Sequence, residues 1–241
     1  MSMRFFIVRL RTVLTVVGLF LLLFILLLFG DHTVQTASDA VFSSLPLLIL
    51  DAGHGGQDGG AVAADGTNEK DINLSLTLKL DALLRSLGFQ TLLTRTDDSL
   101  HETPDAATMR ERKVGDLRYR LQLTQEHPDC FLISIHQNQF SDPKYDGAQV
   151  FYSGNHPQSE ELAQCLQDAI VRTLQPDNKR QIKQSGEEIF LLSQAKVPAI
   201  MVECGFMSNP KELQKLKDEK YQKQLAAAIL NGLLDYFKNR T

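Results

Sequence analysis

Cysteine is scarce in this 241-residue chain: Cys130, Cys165 and Cys204 lie far apart, and no two form a C-x-x-C pair. Three scattered thiols exclude a disulfide framework and a cysteine-based zinc site, so each reads as a small buried hydrophobe, with one pairing between them left open. A basic excess is missing as well. Lys and Arg number 25 against 29 Asp and Glu, and because Arg4, Arg9 and Arg11 precede residue 12, the chain beyond residue 30 holds 22 bases against the same 29 acids, a formal charge of −7. A surface of that sign repels a phosphate backbone, so no nucleic acid is expected as a partner. Phosphate-loop patterns are absent too. The glycines of residues 51–61 do not have G-x-G-x-x-G spacing, no Gly-Lys-Ser/Thr follows them, and the next helical pattern starts some eight residues later, which argues against nucleotide binding. No internal repeat or low-complexity tract follows residue 45.

One long hydrophobic run is present, at the amino terminus. Residues 12–30 carry no charge, about 19 residues that as a helix would span about 28 Å, the thickness of a bilayer core. The arginines before it and Asp31 after it orient the amino terminus to the cytoplasm and everything later outside. The run is longer than the 7 to 15 apolar residues or so of a cleaved signal, and small-x-small sites such as Ser38-Asp39-Ala40 are weak, so residues 1–30 are expected to be an uncleaved signal anchor. A buried core helix is the alternative, disfavoured by the lack of any polar face. Residues 31–45, Ser/Thr-rich and poor in charge, suit a tether, and residues 46–241 are long enough for one sizeable domain. The domain of residues 46–241 is thus expected outside the cytoplasm, membrane-anchored through residues 12–30 or secreted.

In residues 46–241 short apolar runs alternate with helical patterns. Strands are predicted at Leu47–Leu50, Phe89–Thr94, Cys130–Ile135, Ala148–Tyr152 and Ala199–Val202, and helices at about Glu69–Leu87, Thr108–His127, Ser159–Leu174, Pro210–Lys217 and Glu219–Lys238. Continuous apolar strands imply burial on both faces, and the alternation implies an α/β fold: an open twisted sheet, mostly parallel or mixed, with helices on both faces, preceded by the membrane helix. Residues 72–80 alternate like a strand, yet Ile72, Leu76, Leu80, Leu83, Leu84 and Leu87 also form a helical stripe. Helix is preferred because the stretch is long, Asn68 offers an N-cap and Gly88 sits at a C-cap.

Two histidines and two glutamates carry the chemistry. His54 ends the run LILDAGH, His136 ends FLISIH, Glu203 ends PAIMVE, and Glu69 follows the Gly-rich turn. Apolar strands that repeatedly deliver such groups at their carboxyl ends point to a shared ligand, since burying them unpaired is costly. Two His plus one carboxylate, with room for water, is a catalytic zinc set; the same trio serves non-haem iron, and the strand-helix alternation favours zinc hydrolysis. The remaining carboxylate then has the part of proton carrier. Glu69 alone would be accounted for by the helix dipole. Asn138, just beyond His136, and Arg95, between a strand and Asp97-Asp98, are candidate substrate-binding residues, Arg95 equally a structural one. The other histidines lie in the tether, in polar loops or at a helix end and read as non-ligands.

The stretches LDAGHGGQDGGA (50–61), GTNEKDINL (66–74), LTRTDD (93–98), ISIHQN (133–138), GAQVFY (147–152) and VPAIMVECGFMSNP (197–210) together give the chain from Leu47 to Phe237 a specific likeness. It resembles the zinc-dependent N-acetylmuramoyl-L-alanine amidases of the amidase-3 family. The resemblance implies one Zn2+ held by His54, Glu69 and His136, Glu203 as catalytic acid/base, and peptidoglycan as substrate, cut between the lactyl group of N-acetylmuramic acid and L-alanine. The hydrophobic amino terminus, KVGDLRYRL (113–121) and the CysGlyPhe after Glu203 resemble the germination-specific branch, which works beside a deacetylase to make muramic δ-lactam in spore cortex. Two positions depart from the family pattern, Ala52 where proline is common and Gln137 where a small residue is frequent, neither touching a proposed ligand. Between Tyr152 and Ser159 there is no space for the long autoinhibitory helix of division-linked members, and no wall-binding repeats are appended, so location or a separate activating partner is expected to limit activity. The alternatives are a zinc peptidase cutting within stem peptides and a catalytically silent wall-binding module.

Overall fold

The computed structural model describes residues 13–25, 45–101 and 106–238. Residues 13–25 form a helix, α1, every residue of which is exposed. The rest of the expected membrane span, residues 12 and 26–30, and the tether up to residue 44 lie outside the described residues. Among the described residues no helix is long and apolar enough to cross a membrane.

Residues Pro46–Thr241 make one compact unit. Its strands are β1 (Leu48–Ala52), β2 (Thr91–Leu93), β3 (Phe131–Asn138), β4 (Gln149–Tyr152), β5 (Lys183–Gln184) and β6 (Ala199–Phe206). They form a single sheet in the order β2-β1-β3-β6-β4-β5. All neighbours are parallel except β4 and β6, which are antiparallel, so the sheet is mixed. Every residue of β1 is buried, as the continuous apolar run requires.

Helices cover both faces. On one side lie α2 (Glu69–Ser86), α4 (Gln158–Thr173), α6 (Pro210–Lys217) and α7 (Glu219–Lys238), packed on one another and on the sheet; on the other lie α3 (Met109–Glu126) and α5 (Phe190–Gln194). The period of two along each strand sorts the core accordingly. Ile49, Leu132 and Met201 pack with Leu123, Leu191 and Leu192 beneath α3 and α5, whereas Phe131 meets the rings of Tyr236 and Phe237 of α7.

The helical reading of residues 69–87 holds, and Gly88 takes the positive φ of +85° that closes the helix. Asn68 occupies the N-cap position without a side-chain cap; the orphan amides of Glu69 and Lys70 donate instead to the carbonyls of Ala61 and Gly59, at 2.9 and 3.2 Å. Strands β3 and β6 outrun their apolar stretches, because main-chain pairing continues through the polar residues, with a register shift between His136 and Asn138. Two elements were not foreseen: β5 is an exposed two-residue edge, and α5 has five residues, each too short to show a period. The three cysteines form no disulfide with one another, and Cys130 and Cys204 are buried.

Candidate active site

The carboxyl ends of the parallel strands β1, β3 and β6 open together, and there the side chains singled out above meet. Gly53 follows β1; a Cβ on it would stand 2.1 Å from His136 Nε2, so only glycine allows the imidazole to lie against the chain. His54 is the only described non-glycine residue with positive φ, +63°, a conformation that costs about 1–2 kcal/mol. It is held by Arg120, whose Nη2 donates to the His54 carbonyl at 2.7 Å. At Gly60, also at positive φ, a Cβ would come within 2.5 Å of Glu69 Oε2 and 2.6 Å of His54 Cδ2.

Glu69, the first residue of α2, is only 3% exposed. Its Oε1 lies 2.9 Å from His136 Nδ1 and accepts from Gln137 N–H (3.0 Å) and Asn73 Nδ2 (3.1 Å). Oε2 lies 3.2 Å from His54 Nε2 and accepts from Ala61 N–H at 2.9 Å. Burial favours the neutral carboxyl, but hydrogen bonds and charge from the two imidazoles outweigh it and hold Glu69 well below the usual carboxylate range. Burial likewise opposes the cationic form of His54, yet Asp58 and Glu69 raise its pKa to about 9. His54, Glu69 and His136 each offer a ligand atom, and these atoms lie within 4.8 Å of one another. Two imidazole nitrogens and an ionised carboxylate form a donor set suited to a divalent cation, and the residues present therefore fit a metal.

Glu203 is the register partner of His136 on the neighbouring strand and is half-buried. Its Oε2 is buried with no hydrogen-bond partner. Burial lifts its pKa to about 7; the imidazoles of His136 and His54 act against that rise and Glu69 adds to it. A carboxyl that titrates near neutrality, with one oxygen uncommitted, is equipped to take and return a proton.

Sequence reasoning missed the groups that hold these side chains. Asp58 Oδ2 sits 2.9 Å from His54 Nδ1 and Oδ1 sits 2.7 Å from Lys113 Nζ, so a carboxylate fixes the ring that turns Nε2 toward Glu69. Asn73, one turn beyond Glu69 on α2, also donates to the Gly53 carbonyl. Gln137 was read as clear of the proposed ligands; instead its main chain donates to Glu69 and its side chain to Asn73 Oδ1 at 3.1 Å. The available signals were local: a carboxylate four residues after His54 in a glycine turn, and an amide at i+4 from Glu69 on one helix face.

Beneath the site Arg120 pairs with Asp51 and Asp116 and donates to the Ala52 carbonyl, all in the core. Arg95 is buried, and its guanidinium donates to the carbonyls of Ala52, Gly53, Lys70 and Asp97 at 2.8–3.1 Å. It thus braces the loop from behind. Asn138 ends β3, where its carbonyl accepts from Met207 N–H at 2.8 Å. A groove of about 320 Å³ runs from His54 and His136 past Lys113 to Phe190 and Met201.

The model of the N-acetylmuramoyl-L-alanine amidase (amidase-3) family matches residues 48–235. A germination-specific N-acetylmuramoyl-L-alanine amidase of Bacillus subtilis (strain 168) is 35% identical over 226 residues, 92% of this chain and 94% of the relative. The CwlD amidase of Clostridioides difficile, solved in complex with the GerS lipoprotein, is 41% identical with a TM-score of 0.77, over 80% of this chain and 99% of that one. An N-acetylmuramoyl-L-alanine amidase of Clostridium difficile 630 is 31% identical with a TM-score of 0.70, covering 82% and 99%. With the match running from β1 into α7 and enclosing all four of His54, Glu69, His136 and Glu203, the chain belongs to the N-acetylmuramoyl-L-alanine amidase family.

Proposed function

We propose that this chain is a zinc-dependent N-acetylmuramoyl-L-alanine amidase that hydrolyses the amide between the lactyl group of N-acetylmuramic acid and L-alanine of the stem peptide. One observation carries the reading: an uncommitted, buried Glu203 Oε2 beside a three-ligand cluster of His54, Glu69 and His136. His54, Glu69 and His136 would hold the metal. When bound, zinc would polarise the lactyl carbonyl and lower the pKa of the attacking water. Glu203 accepts the proton of that water as its oxygen bonds to the carbonyl carbon, and delivers it to the alanine nitrogen as the C–N bond breaks. Asp58 keeps the His54 ring in one orientation, and Asn73 with the Gln137 main chain keeps Glu69 in place. The α3–α5 side of the groove gives the substrate a partly apolar wall.

The role we assign is preparation of muramic δ-lactam in spore cortex, beside a deacetylase acting on the same strands, with the catalytic domain outside the cytoplasm. The likeness to a germination-specific relative supports this, and the lipoprotein complex of the CwlD amidase supports an activating partner. We assign residues 1–30 to a signal anchor, 31–45 to a tether and 46–241 to the catalytic domain, on the uncharged run of residues 12–30. Asn138 remains a proposed substrate contact by its place beside His136.

The test is incubation of the full chain with purified sacculi, with and without chelator, followed by assay of new amino termini. Release of L-alanine amines that chelator abolishes is the expected result. Cleavage at a later peptide bond would establish the peptidase alternative, and binding without cleavage the silent wall-binding one.

A further inference from the structure

Arg180 stands at one end of a row of residues drawn across the sheet. His136 is in register with Glu203, Glu203 with Gln149, and Gln149 Nε2 donates to the carbonyl of Gln181, the residue after Arg180, at 2.8 Å. The segment is fixed there: Arg180 N–H donates to Asn178 Oδ1 at 2.9 Å, and Asn178 Nδ2 donates to the Ala148 carbonyl at 2.8 Å. The guanidinium lies over the Phe206 ring, 4.7 Å from its centroid, and is near enough to Glu203 for its charge to favour the ionised carboxylate. Even so, Arg180 Nε is buried without a hydrogen-bond partner, and among the described residues no carboxylate pairs with this side chain. A planar cation preorganised on an aromatic ring and lacking an acceptor is suited to bind a carboxylate.

The direction of the reaction says which carboxylate. The lactyl carbonyl belongs over His54, Glu69 and His136, and the alanine nitrogen belongs at Glu203, its proton donor. The scissile bond therefore points along the row, and the departing peptide continues past Glu203 toward the β4–β5 edge. In a stem peptide the first anionic group after L-alanine is the α-carboxylate of the second residue, a D-glutamate joined through its γ-carboxyl.

We propose that Arg180 binds this α-carboxylate on the leaving-peptide side, so that the enzyme prefers stem peptides in which it is free over those in which it is amidated. The inference rests on the amidase reading. Its test uses the full chain and two disaccharide tetrapeptides that differ only in a carboxylate or a carboxamide at that position. Wild type should favour the carboxylate substrate by roughly 10-fold or more in kcat/KM, mostly through KM. In Arg180→Gln the ratio should fall to about 1, and in Arg180→Lys part of it should remain. Calorimetric binding to the Glu203→Gln chain should show the same preference without turnover and lose it when Arg180→Gln is added. Cleavage of both substrates by wild type within about twofold overturns the inference and leaves the amidase standing. A preference that survives Arg180→Gln intact also overturns it, and no new L-alanine amino terminus from either substrate overturns both readings.

Discussion

His136 and Glu203 are Cα partners on the adjacent parallel strands β3 and β6, so a proposed metal ligand and the proposed proton carrier project from neighbouring positions on one face of the sheet. Backbone pairing therefore sets their separation, and the two roles can be separated by mutation. Glu203→Gln keeps the shape and removes the titratable group; amide cleavage should fall roughly 10²–10⁴-fold, the range general acid–base catalysis supplies. Zinc content measured on the same preparation should match wild type. A variant that lost its zinc along with activity would place Glu203 among the ligands.

The same carboxyl sets an acid limb. Burial raises Glu203 to about 7, and it must be ionised to accept a proton, so activity should rise with pH as the carboxyl loses its proton. A divalent cation at His54, Glu69 and His136 would stabilise the anion and draw the midpoint down. The limb is accordingly expected at or below about pH 7 in a profile of kcat/KM for the zinc-loaded enzyme. A limb with its midpoint clearly above about pH 7 would count against Glu203 as the base.

Asp58 tests orientation apart from ligation. It contacts His54 through the ring nitrogen turned away from Glu69 and is steadied by Lys113. Asp58→Asn keeps the size but weakens the partner that fixes the ring, and zinc affinity should drop about 10–100-fold, read by competition with a chelating dye. Unaltered affinity would mean that backbone geometry at His54 alone orients the imidazole.

How much of this was legible beforehand differs by element. Strands β1, β3 and β6 announced themselves because burial on both faces demands continuous apolar residues, and His54, His136 and Glu203 stood out as candidates because they end those runs. The ambiguous alternation of residues 72–80 resolved as α2 once length and Gly88 were weighed. Neither β5 nor α5 was readable, since two and five residues carry no period and their conformation follows from neighbours. In the site, Gln137 stayed hidden because it acts on Glu69 from 68 positions away, whereas Asp58 and Asn73 lie four residues from the groups they hold, an offset too common among carboxylates and amides to mark a contact by itself. Arg95 shows the converse: its place beside Asp97 and Asp98 was plain, but only the fold reveals four main-chain carbonyls filling its guanidinium.

The last prediction concerns the support beneath the site. Asp51, at the end of β1 and wholly buried, takes the Arg120 guanidinium and the hydroxyls of Thr94 and Ser134. Burial alone would raise its pKa; Arg120 chiefly, then His136 and the two hydroxyls, bring it instead down to about 2. A carboxylate whose folded pKa lies below its unfolded value of about 3.9 stabilises the fold fully above that unfolded value, and the contribution disappears as pH falls toward 2. Removing the charge leaves Arg120 in the core with Asp116 as its remaining counter-ion. Asp51→Asn should therefore lower stability near neutral pH by about 3 kcal/mol, the lower end for breaking a buried pair. Urea denaturation of both proteins across pH checks this: the gap between them should be constant above about pH 4 and narrow steadily toward pH 2. A gap that widened on acidification would reverse the assigned sign, and the stabilising charge beneath His54 would have to be sought elsewhere.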